Sequence, residues 1–416
     1  MSPPAAAVVA ARQSLNPFRL VAENRNFRLF WFGQTTSLVG TWMQGMAQGW
    51  LALQLSNNAF LVGLVAAVGA LPILLLSLPA GVLVDRTNRL RLLLGAQSLL
   101  LAEATLLWYF TWSGGITIGV LLALAATAGI VSAVEIPTRL ALIVELVGRD
   151  DLHDAIALNS SGFNLARIIG PALAAIVTST AGLAWCFGVN ALSFLAVLGG
   201  LALVRLPERP RVEHVGSPLD GVRELFHFVT TTRQVSALMQ VVTIFSVFGI
   251  PYLTLMPVVA RDRLGLGAGG YGLLLTFVGV GGLAGALLLA SAGRRVARGR
   301  LLLGSSFAYS VLLILFAATR SPALARPLLL GIGLMMIINS ALANGLLQTL
   351  VPEALRGRLM SAYSLIVVGL AQVAGSFVGG AVARAFGAQW AIGGGAVVML
   401  AFAGVAAVRY PELRRL

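Results

Sequence analysis

Two ionisable residues, Glu103 and Arg167, lie deep inside long apolar stretches of this 416-residue sequence. Each stands 13 residues from the start of its stretch, which is about 20 Å along a helix. Because a charge at the middle of a bilayer costs about 2.5–3.5 kcal/mol on insertion scales, such residues are functional candidates. Glu103 is suited to carry a proton. Arg167 is suited to pair with Glu103, or to serve as a structural tie to another acid or to carbonyl groups, so both are candidates for coupling to an ion gradient.

Residues for metal or covalent chemistry are sparse. The single cysteine, Cys186, and the three histidines, His153, His214 and His227, form no CxxC pair, no HExxH motif and no cluster. The sequence has no lysine, so it contains no Walker A loop and no side-chain amine for Schiff-base chemistry. We therefore expect no metal site, no cofactor and no enzyme activity, and ATP-driven pumping by this chain alone is disfavoured.

Neutral polar residues recur at helical spacing in several apolar stretches. In the first stretch, five of them are separated by 3, 4, 3 and 4 residues, which places them on one helix face. Such a stripe faces either neighbouring helices, through hydrogen bonds, or a wet cavity. Aromatic residues nearby, such as Trp42, serve either as packing or as cavity lining. We predict a shared, uncharged cavity for a lipophilic or amphipathic molecule. Its predicted lining residues are Gln34, Ser37, Thr41, Gln44, Gln48, Asn164, Phe245, Phe248, Tyr252, Asn339, Asn344 and Gln348.

The elements that carry these residues must be membrane helices. Hydrophobic residues make up 58% of the sequence and charged residues only 11%, with a mean hydropathy of +0.90, which excludes a soluble enzyme. Twelve apolar stretches are long enough to cross about 30 Å of hydrocarbon, where backbone groups must bond within a helix. We predict an all-α membrane protein with twelve transmembrane helices near 29–54, 59–84, 90–112, 116–136, 154–179, 183–204, 236–259, 269–292, 301–318, 325–350, 360–385 and 388–409.

All 29 basic residues are arginines, and their placement predicts the topology. Twenty-three lie in the tails and in alternate connections that share one side, and five lie on the other side. By the positive-inside rule, both termini are predicted to be cytoplasmic in the cell (inner) membrane. The net charge of +14 is spread over short clusters rather than one basic face, so nucleic acid is not an expected partner. The expected partners are the bilayer and a small-molecule substrate, and we expect a monomer.

The longest connection, residues 205–235, is rich in proline and charge and separates six stretches from six. The segment around Gly95 resembles the segment around Gly304 at an offset of 209 residues, which indicates an internal duplication. Paired six-helix halves with a site between them are a known transporter plan. The predicted domains are a cytoplasmic N-terminal tail (1–28), an N-terminal six-helix bundle (29–204), a cytoplasmic linker (205–235), a C-terminal six-helix bundle (236–409) and a C-terminal tail (410–416).

The segment GVLVDRTNRLR, residues 81–91, connects the second stretch to the third. Gly81 permits close helix approach, and Asp85 is placed to meet the positive N-terminus of a helix or a nearby arginine. Glu135 and Arg139, four residues apart at the end of the fourth stretch, are candidates for the same cluster. We predict a charge latch that holds the cytoplasmic side shut; the alternative is that the arginines only set the topology. The latch candidates are Gly81, Asp85, Arg86, Arg89, Glu135 and Arg139.

Four segments resemble one family of membrane transporters. GVLVDRTNRLR resembles the signature loop of the major facilitator superfamily, although Asn88 and Leu90 replace residues that are often charged in relatives. Gly162, Gly170 and Pro171 resemble the fifth-helix motif of the superfamily's antiporters. Three segments resemble its drug- and siderophore-exporter branch, which includes enterobactin-exporter-like proteins: GTWMQGMAQGWLALQL (40–55), NLARIIGPALAA (164–175) and VPEALRGRLMSAY (351–363).

The resemblance implies a secondary active transporter that exports a small lipophilic or siderophore-like solute by alternating access, driven by proton antiport. It also implies a peripheral third helix, which argues against a Glu103–Arg167 pair. A uniporter or importer of the same fold is an alternative, and so is a non-transporting membrane sensor. A polytopic membrane enzyme would need clustered acids for a metal-bound diphosphate, and Asp150 and Asp151 are the only adjacent acidic pair.

Overall fold

The computed structural model describes residues 18–148, 150–205, 228–292 and 297–415, and these ranges contain helices and no strand. Much of the predicted N-terminal tail and linker, and the last residue of the C-terminal tail, lie outside the described residues. The same holds for seven of the arginines that predict the topology: Arg12, Arg149, Arg209, Arg211, Arg223, Arg294 and Arg295.

Twelve long helices follow one another in the described part of the chain, between short helical turns at Arg19–Glu23 and Pro411–Arg415. They are α1 (Arg25–Ser56), α2 (Ala59–Arg86), α3 (Arg89–Trp112), α4 (Ile118–Val147), α5 (Leu152–Thr180), α6 (Ala184–Ala202), α7 (Arg233–Asp262), α8 (Ala268–Ala292), α9 (Arg298–Ala318), α10 (Pro322–Leu350), α11 (Leu355–Phe386) and α12 (Ala388–Arg409).

Eleven of these helices, α2 to α12, are long and apolar enough to cross a membrane. The helix α1 carries the polar stripe and is not among those eleven. Its 32 residues extend about 48 Å, and it packs against α2, α4, α5 and α6. The protein is therefore an all-α membrane protein with twelve transmembrane helices, as the sequence predicts.

The largest disagreement between predicted and observed helix ends concerns α4. The predicted stretch ends near residue 136, whereas α4 continues to Val147, and Pro137 lies inside the helix without ending it. Hydropathy marks only the part of a helix that crosses the hydrocarbon, so it does not detect a continuation into the polar region. This continuation carries Arg139 and Glu145.

Asparagine side chains set the short connections on either side of α2. Asn57 ends α1 with a left-handed backbone conformation, φ 47°, which asparagine tolerates better than most residues. The side chains of Asn58 and Asn88 accept hydrogen bonds from the backbone N–H groups of Phe60 (2.9 Å) and Arg91 (3.0 Å). These side chains cap the first turns of α2 and α3. As a result, only two residues separate α1 from α2, and only two separate α2 from α3.

The helices pack in two groups of six. In the first group α1 packs on α5 and α6, and α2 packs on α4; in the second, α8 and α9 pack on α10, and α9 also packs on α12. The groups meet along two helix pairs, α5 with α8 and α2 with α11. π-Helical turns interrupt α7 at Phe245–Gly249 and α11 at Leu365–Gly375, and these two segments pack against each other. The predicted domain boundaries stay predictions.

Candidate functional site

A cavity of about 380 Å³ lies between the two helix groups. It is lined by α1, α2 and α4 of the first group and by α7, α8 and α11 of the second. The described residues in its wall carry no charge, and most of the wall is apolar. Its larger polar side chains are all neutral: Gln48, Ser132, Thr254, Tyr271 and Gln372. Such a wall suits an apolar molecule that accepts a few neutral hydrogen bonds.

Gln48 is the one residue of the predicted polar stripe that lies in this wall, and Trp42, a predicted apolar lining residue, lies there too. The Nε2 atom of Gln48 is buried and has no hydrogen-bond partner among the described residues. Gln372 of the π-helical segment in α11 faces the cavity from the other helix group. The two amides therefore offer hydrogen bonds to a bound molecule from both groups.

The rest of the α1 stripe does not line the cavity, which corrects the sequence prediction. Gln34, Ser37 and Gln44 are buried, with exposed fractions of 5%, 2% and 7%. Gly40 lies on the same face and packs against Asn190 of α6. Because Gly40 has no side chain, α6 approaches α1 closely and covers this face.

Gln44 belongs to a buried hydrogen-bond network that joins α1, α3 and α6. Its Nε2 donates to Glu103 Oε2 at 2.9 Å, and its Oε1 accepts from Asn190 Nδ2 at 2.7 Å. The hydroxyl of Ser193 donates to Asn190 Oδ1 at 3.1 Å. Glu103 is 3% exposed, and its Oε1 has no partner among the described residues. The network holds one acid in a buried position with one oxygen free to take a proton.

The other polar candidates contact their own helix or a neighbour, so the structure does not place them at the cavity. Thr41 and Asn164 donate to the carbonyl groups four residues earlier, at 2.9 and 2.8 Å. Asn339 is buried and donates to a serine hydroxyl of α9 at 2.6 Å. Gln348 donates to Asn344 within α10. Helical spacing identifies a shared face, but not the neighbour that the face meets.

The predicted aromatic lining of α7 lies mainly in the core of the second group. The ring centroids of Phe245 and Tyr252 lie 4.6 and 6.4 Å from that of Tyr309 in α9, and Phe248 is half-buried. The cavity instead meets the face of α7 that carries Thr254. The π-helical turn at Phe245–Gly249 changes the helical register, so regular spacing does not identify this face.

Arg167 lies in α5 at the contact with α8 of the other group. One terminal nitrogen lies so close to Gly282 that a methyl group there would be only 2.6 Å away. Its Nε is buried without a hydrogen-bond partner. Among the described residues, the predicted tie to an acid or a carbonyl is not found. Nor is the pair with Glu103, whose partner is Gln44.

The predicted latch at the α2–α3 connection centres on Arg89. Its NH1 lies 2.7 Å from Glu145 Oε1 in α4, and its NH2 lies 3.5 Å from Asp85 Oδ1. Arg86 is exposed. The predicted close helix approach at Gly81 is not found, because no described atom of another helix lies within 4 Å of the position that a Cβ atom would take there. All three charges of this cluster belong to the first helix group, so it ties α2, α3 and α4 together. Sequence reasoning missed Glu145, because it lies beyond the predicted end of α4.

Glu135 and Arg139 form a second, separate cluster within α4. Arg139 Nε donates to Glu135 Oε1 at 2.9 Å, and Gln97 of α3 donates to the same oxygen at 3.2 Å. The two charged residues are only 6% and 9% exposed. The predicted single cluster is therefore two clusters, of which this one is buried.

The fifth-helix motif faces two different neighbours. Gly162 and Gly170 pack against α1, so they allow close packing inside the first group. The Pro171 carbonyl lies against Gly272 of α8. Pro171 therefore belongs to the contact between the groups.

The two groups also touch at the end of the bundle opposite the chain ends. Arg261 of α7 donates to the side-chain oxygen of Asn57 at 2.5 Å. The rings of Phe60 in α2 and Phe377 in α11 meet edge to face, with centroids 5.3 Å apart. These contacts close the structure on this face.

Comparisons with known proteins agree with this architecture. A family model described as transmembrane secretion effector matches residues 13–415. The chain is 28% identical to a staphyloferrin A transporter of Staphylococcus aureus over 66% of this chain and 70% of that protein. It is 26% identical to the enterobactin exporter EntS of Shigella flexneri, over 87% and 85% of the two chains. It is 27% identical to the multidrug efflux pump Tap of Mycolicibacterium fortuitum, over 93% and 96%.

Solved structures share the fold. A bacterial homologue of the human lysosomal transporter Spinster has a TM-score of 0.73 at 15% identity, over 94% of this chain and 97% of that chain. The nucleoside transporter NupG has a TM-score of 0.66 at 12% identity, over 93% and 98%. At these identities the similarity shows the fold alone. The family and the matched curated proteins are transporters rather than enzymes.

Proposed function

This chain belongs to the transmembrane secretion effector family of the major facilitator superfamily, and on that basis we propose that it exports a small lipophilic or siderophore-like solute. The observation that carries the proposal is the cavity of about 380 Å³ between the helix groups, with its apolar wall and neutral amides. The relatives named for enterobactin export and multidrug efflux support the direction of transport and the class of solute.

The packing of the two groups supports alternating access in this proposal. With both termini cytoplasmic, as the arginine distribution favours, the contacts of Asn57 with Arg261 and of Phe60 with Phe377 close the outer face. The solute enters the cavity from the cytoplasmic side and leaves when these contacts separate. The α5–α8 and α2–α11 contacts are the surfaces across which the groups rock.

Proton antiport provides the driving force in this proposal, and Glu103 is the proton site. Glu103 is buried with one unbonded oxygen, and its one hydrogen-bond partner among the described residues is Gln44 of α1. Gln48, in the cavity wall, lies one turn further along the same helix. A change of charge at Glu103 therefore acts on the helix that contacts the solute.

Everted membrane vesicles test the function. In such vesicles an exporter moves solute inwards, so proton antiport predicts accumulation when the interior is acidic. We expect accumulation of enterobactin, or of the lipophilic dye Hoechst 33342, that nigericin abolishes by collapsing the pH gradient. Vesicles without the protein are the control.

The other outcomes each identify a different function. Gradient-independent equilibration would indicate a uniporter. Accumulation with an alkaline interior would indicate a proton-driven importer. The absence of protein-dependent movement of either probe would contradict the proposal and favour a sensor.

A further inference from the structure

Besides Gln48, the buried polar groups without a hydrogen-bond partner among the described residues include two, one from each helix group. They are Nε of Arg167, in α5, and the hydroxyl of Tyr252, in α7. Tyr252 is only 2% exposed, and the two side chains are close enough to interact electrostatically. Buried donors without acceptors are unfavourable. Two such donors, one from each group and within electrostatic range of each other, indicate a missing acceptor.

The surroundings of Arg167 show where that acceptor would lie. Gly282 of α8 leaves room for the guanidinium group, since a methyl group there would lie 2.6 Å from its NH2 and 3.1 Å from Ile337 of α10. The terminal nitrogens make no hydrogen bond to described residues and, unlike Nε, are not fully enclosed. The terminal nitrogens therefore keep some accessible surface. In the described part of the chain, Arg167 has no acidic partner, so its charge attracts an anion.

The site is within reach of the cavity. Leu275 lies in the cavity wall, and Gly282, seven residues further along α8, lies against Arg167. Seven residues are two helical turns, so both lie on one face of α8, about 10 Å apart. A molecule whose apolar body fills the cavity can therefore extend a polar end to Arg167.

We infer that Arg167 and Tyr252 bind an anionic oxygen group of the transported solute, which makes the solute an amphipathic anion. The planar guanidinium group binds two oxygens of a carboxylate or catecholate side by side, and the Tyr252 hydroxyl donates a further hydrogen bond. The neutral wall of the cavity holds the apolar body. This inference rests on the proposed function and narrows its solute class.

The test compares 2-naphthoate with 2-naphthamide. The two probes share the same apolar ring system, and the first carries a charged carboxylate where the second carries a neutral amide. Isothermal titration calorimetry of the full chain in detergent micelles, with a micelle blank, should show at least about tenfold tighter binding of 2-naphthoate. Arg167→Gln should weaken 2-naphthoate by about ten- to a hundredfold and 2-naphthamide far less. Tyr252→Phe should weaken 2-naphthoate by about two- to tenfold. Arg326→Gln, an exposed position of α10, is the matched control and should change neither affinity.

The inference is overturned if the unmodified protein binds both probes equally, or does not bind 2-naphthoate. It is also overturned if Arg167→Gln weakens both probes by the same factor, which is the result of a structural role. If the Arg167→Gln protein does not fold, Arg167→Lys and Tyr252→Phe replace it in the test. The inference is then overturned if these variants weaken the binding of both probes by the same factor. If vesicles accumulate solutes in response to a pH gradient but show no preference for anions, the proposed function stands and only the anion site is refuted.

Discussion

Replacing Gly272 with alanine should drive the two helix groups apart at the α5–α8 contact. A methyl group on Gly272 would lie 2.8 Å from the Pro171 carbonyl oxygen and 3.0 Å from Ala175 Cβ. Ordinary contacts of a Cβ atom begin at 3.4 Å, so one of the two helices must move by several tenths of an ångström. The obstacle is a backbone carbonyl, which cannot turn aside as a flexible side chain can.

The magnitude follows from the cost of overpacking, about 1–3 kcal/mol. This cost applies only to the conformation in which α5 and α8 touch on the closed face. At tenfold per about 1.4 kcal/mol, the equilibrium should shift towards the opened conformation by about five- to 150-fold. Gly304→Ala in α9 is the matched control, because a methyl group there meets nothing within 4 Å and both substitutions give the same gain in helix propensity.

Double electron–electron resonance measures the opening. Spin labels replace Ser179 of α5 and Arg320, before α10, which are both exposed on the closed face, and Cys186 is replaced by serine. Gly272→Ala should populate a longer distance that is rare in Gly304→Ala. Identical distance distributions would refute the argument, as would a lower unfolding temperature without any longer distance.

Three further outcomes are expected. Glu103→Gln should abolish accumulation driven by a pH gradient but retain downhill exchange, because the side chain no longer exchanges a proton. Glu353→Gln is the control, since this acid is 91% exposed. Unchanged accumulation in Glu103→Gln would exclude Glu103 as the proton site. Glu135→Gln leaves Arg139 as an uncompensated buried charge, which should destabilise the fold by about 3–5 kcal/mol, and an unchanged midpoint of thermal unfolding would contradict this. Gln48→Leu should weaken binding of enterobactin by about two- to tenfold in calorimetry, whereas equal affinity would remove Gln48 from the site.

The helices were predictable because lipid imposes one requirement on each of them. About 20 apolar residues must be helical to cross the hydrocarbon, and for α2 to α12 this requirement is visible in hydropathy. This requirement applies only within the hydrocarbon. The continuation of α4 to Val147 was therefore missed, and Glu145, the partner of Arg89, was missed with it.

The direction of side chains was less predictable. The spacing of the α1 stripe correctly places Gln44 and Gln48 on successive turns, but one lies against α6 and the other in the cavity wall. That difference depends on Gly40, which lets α6 cover part of the face. The partner of Glu103 depends on the same packing of α1, α3 and α6, which no local pattern encodes.

Cross-linking across the closed face tests alternating access most directly. Phe60→Cys and Phe377→Cys, at a contact between α2 and α11, are joined by a short bifunctional thiosulfonate reagent in a chain that lacks Cys186. Accumulation of enterobactin in everted vesicles is then measured before and after reduction. Rocking of the two helix groups predicts that the cross-link stops transport and that reduction restores it. Transport at the unlinked rate by the fully cross-linked protein would contradict the account.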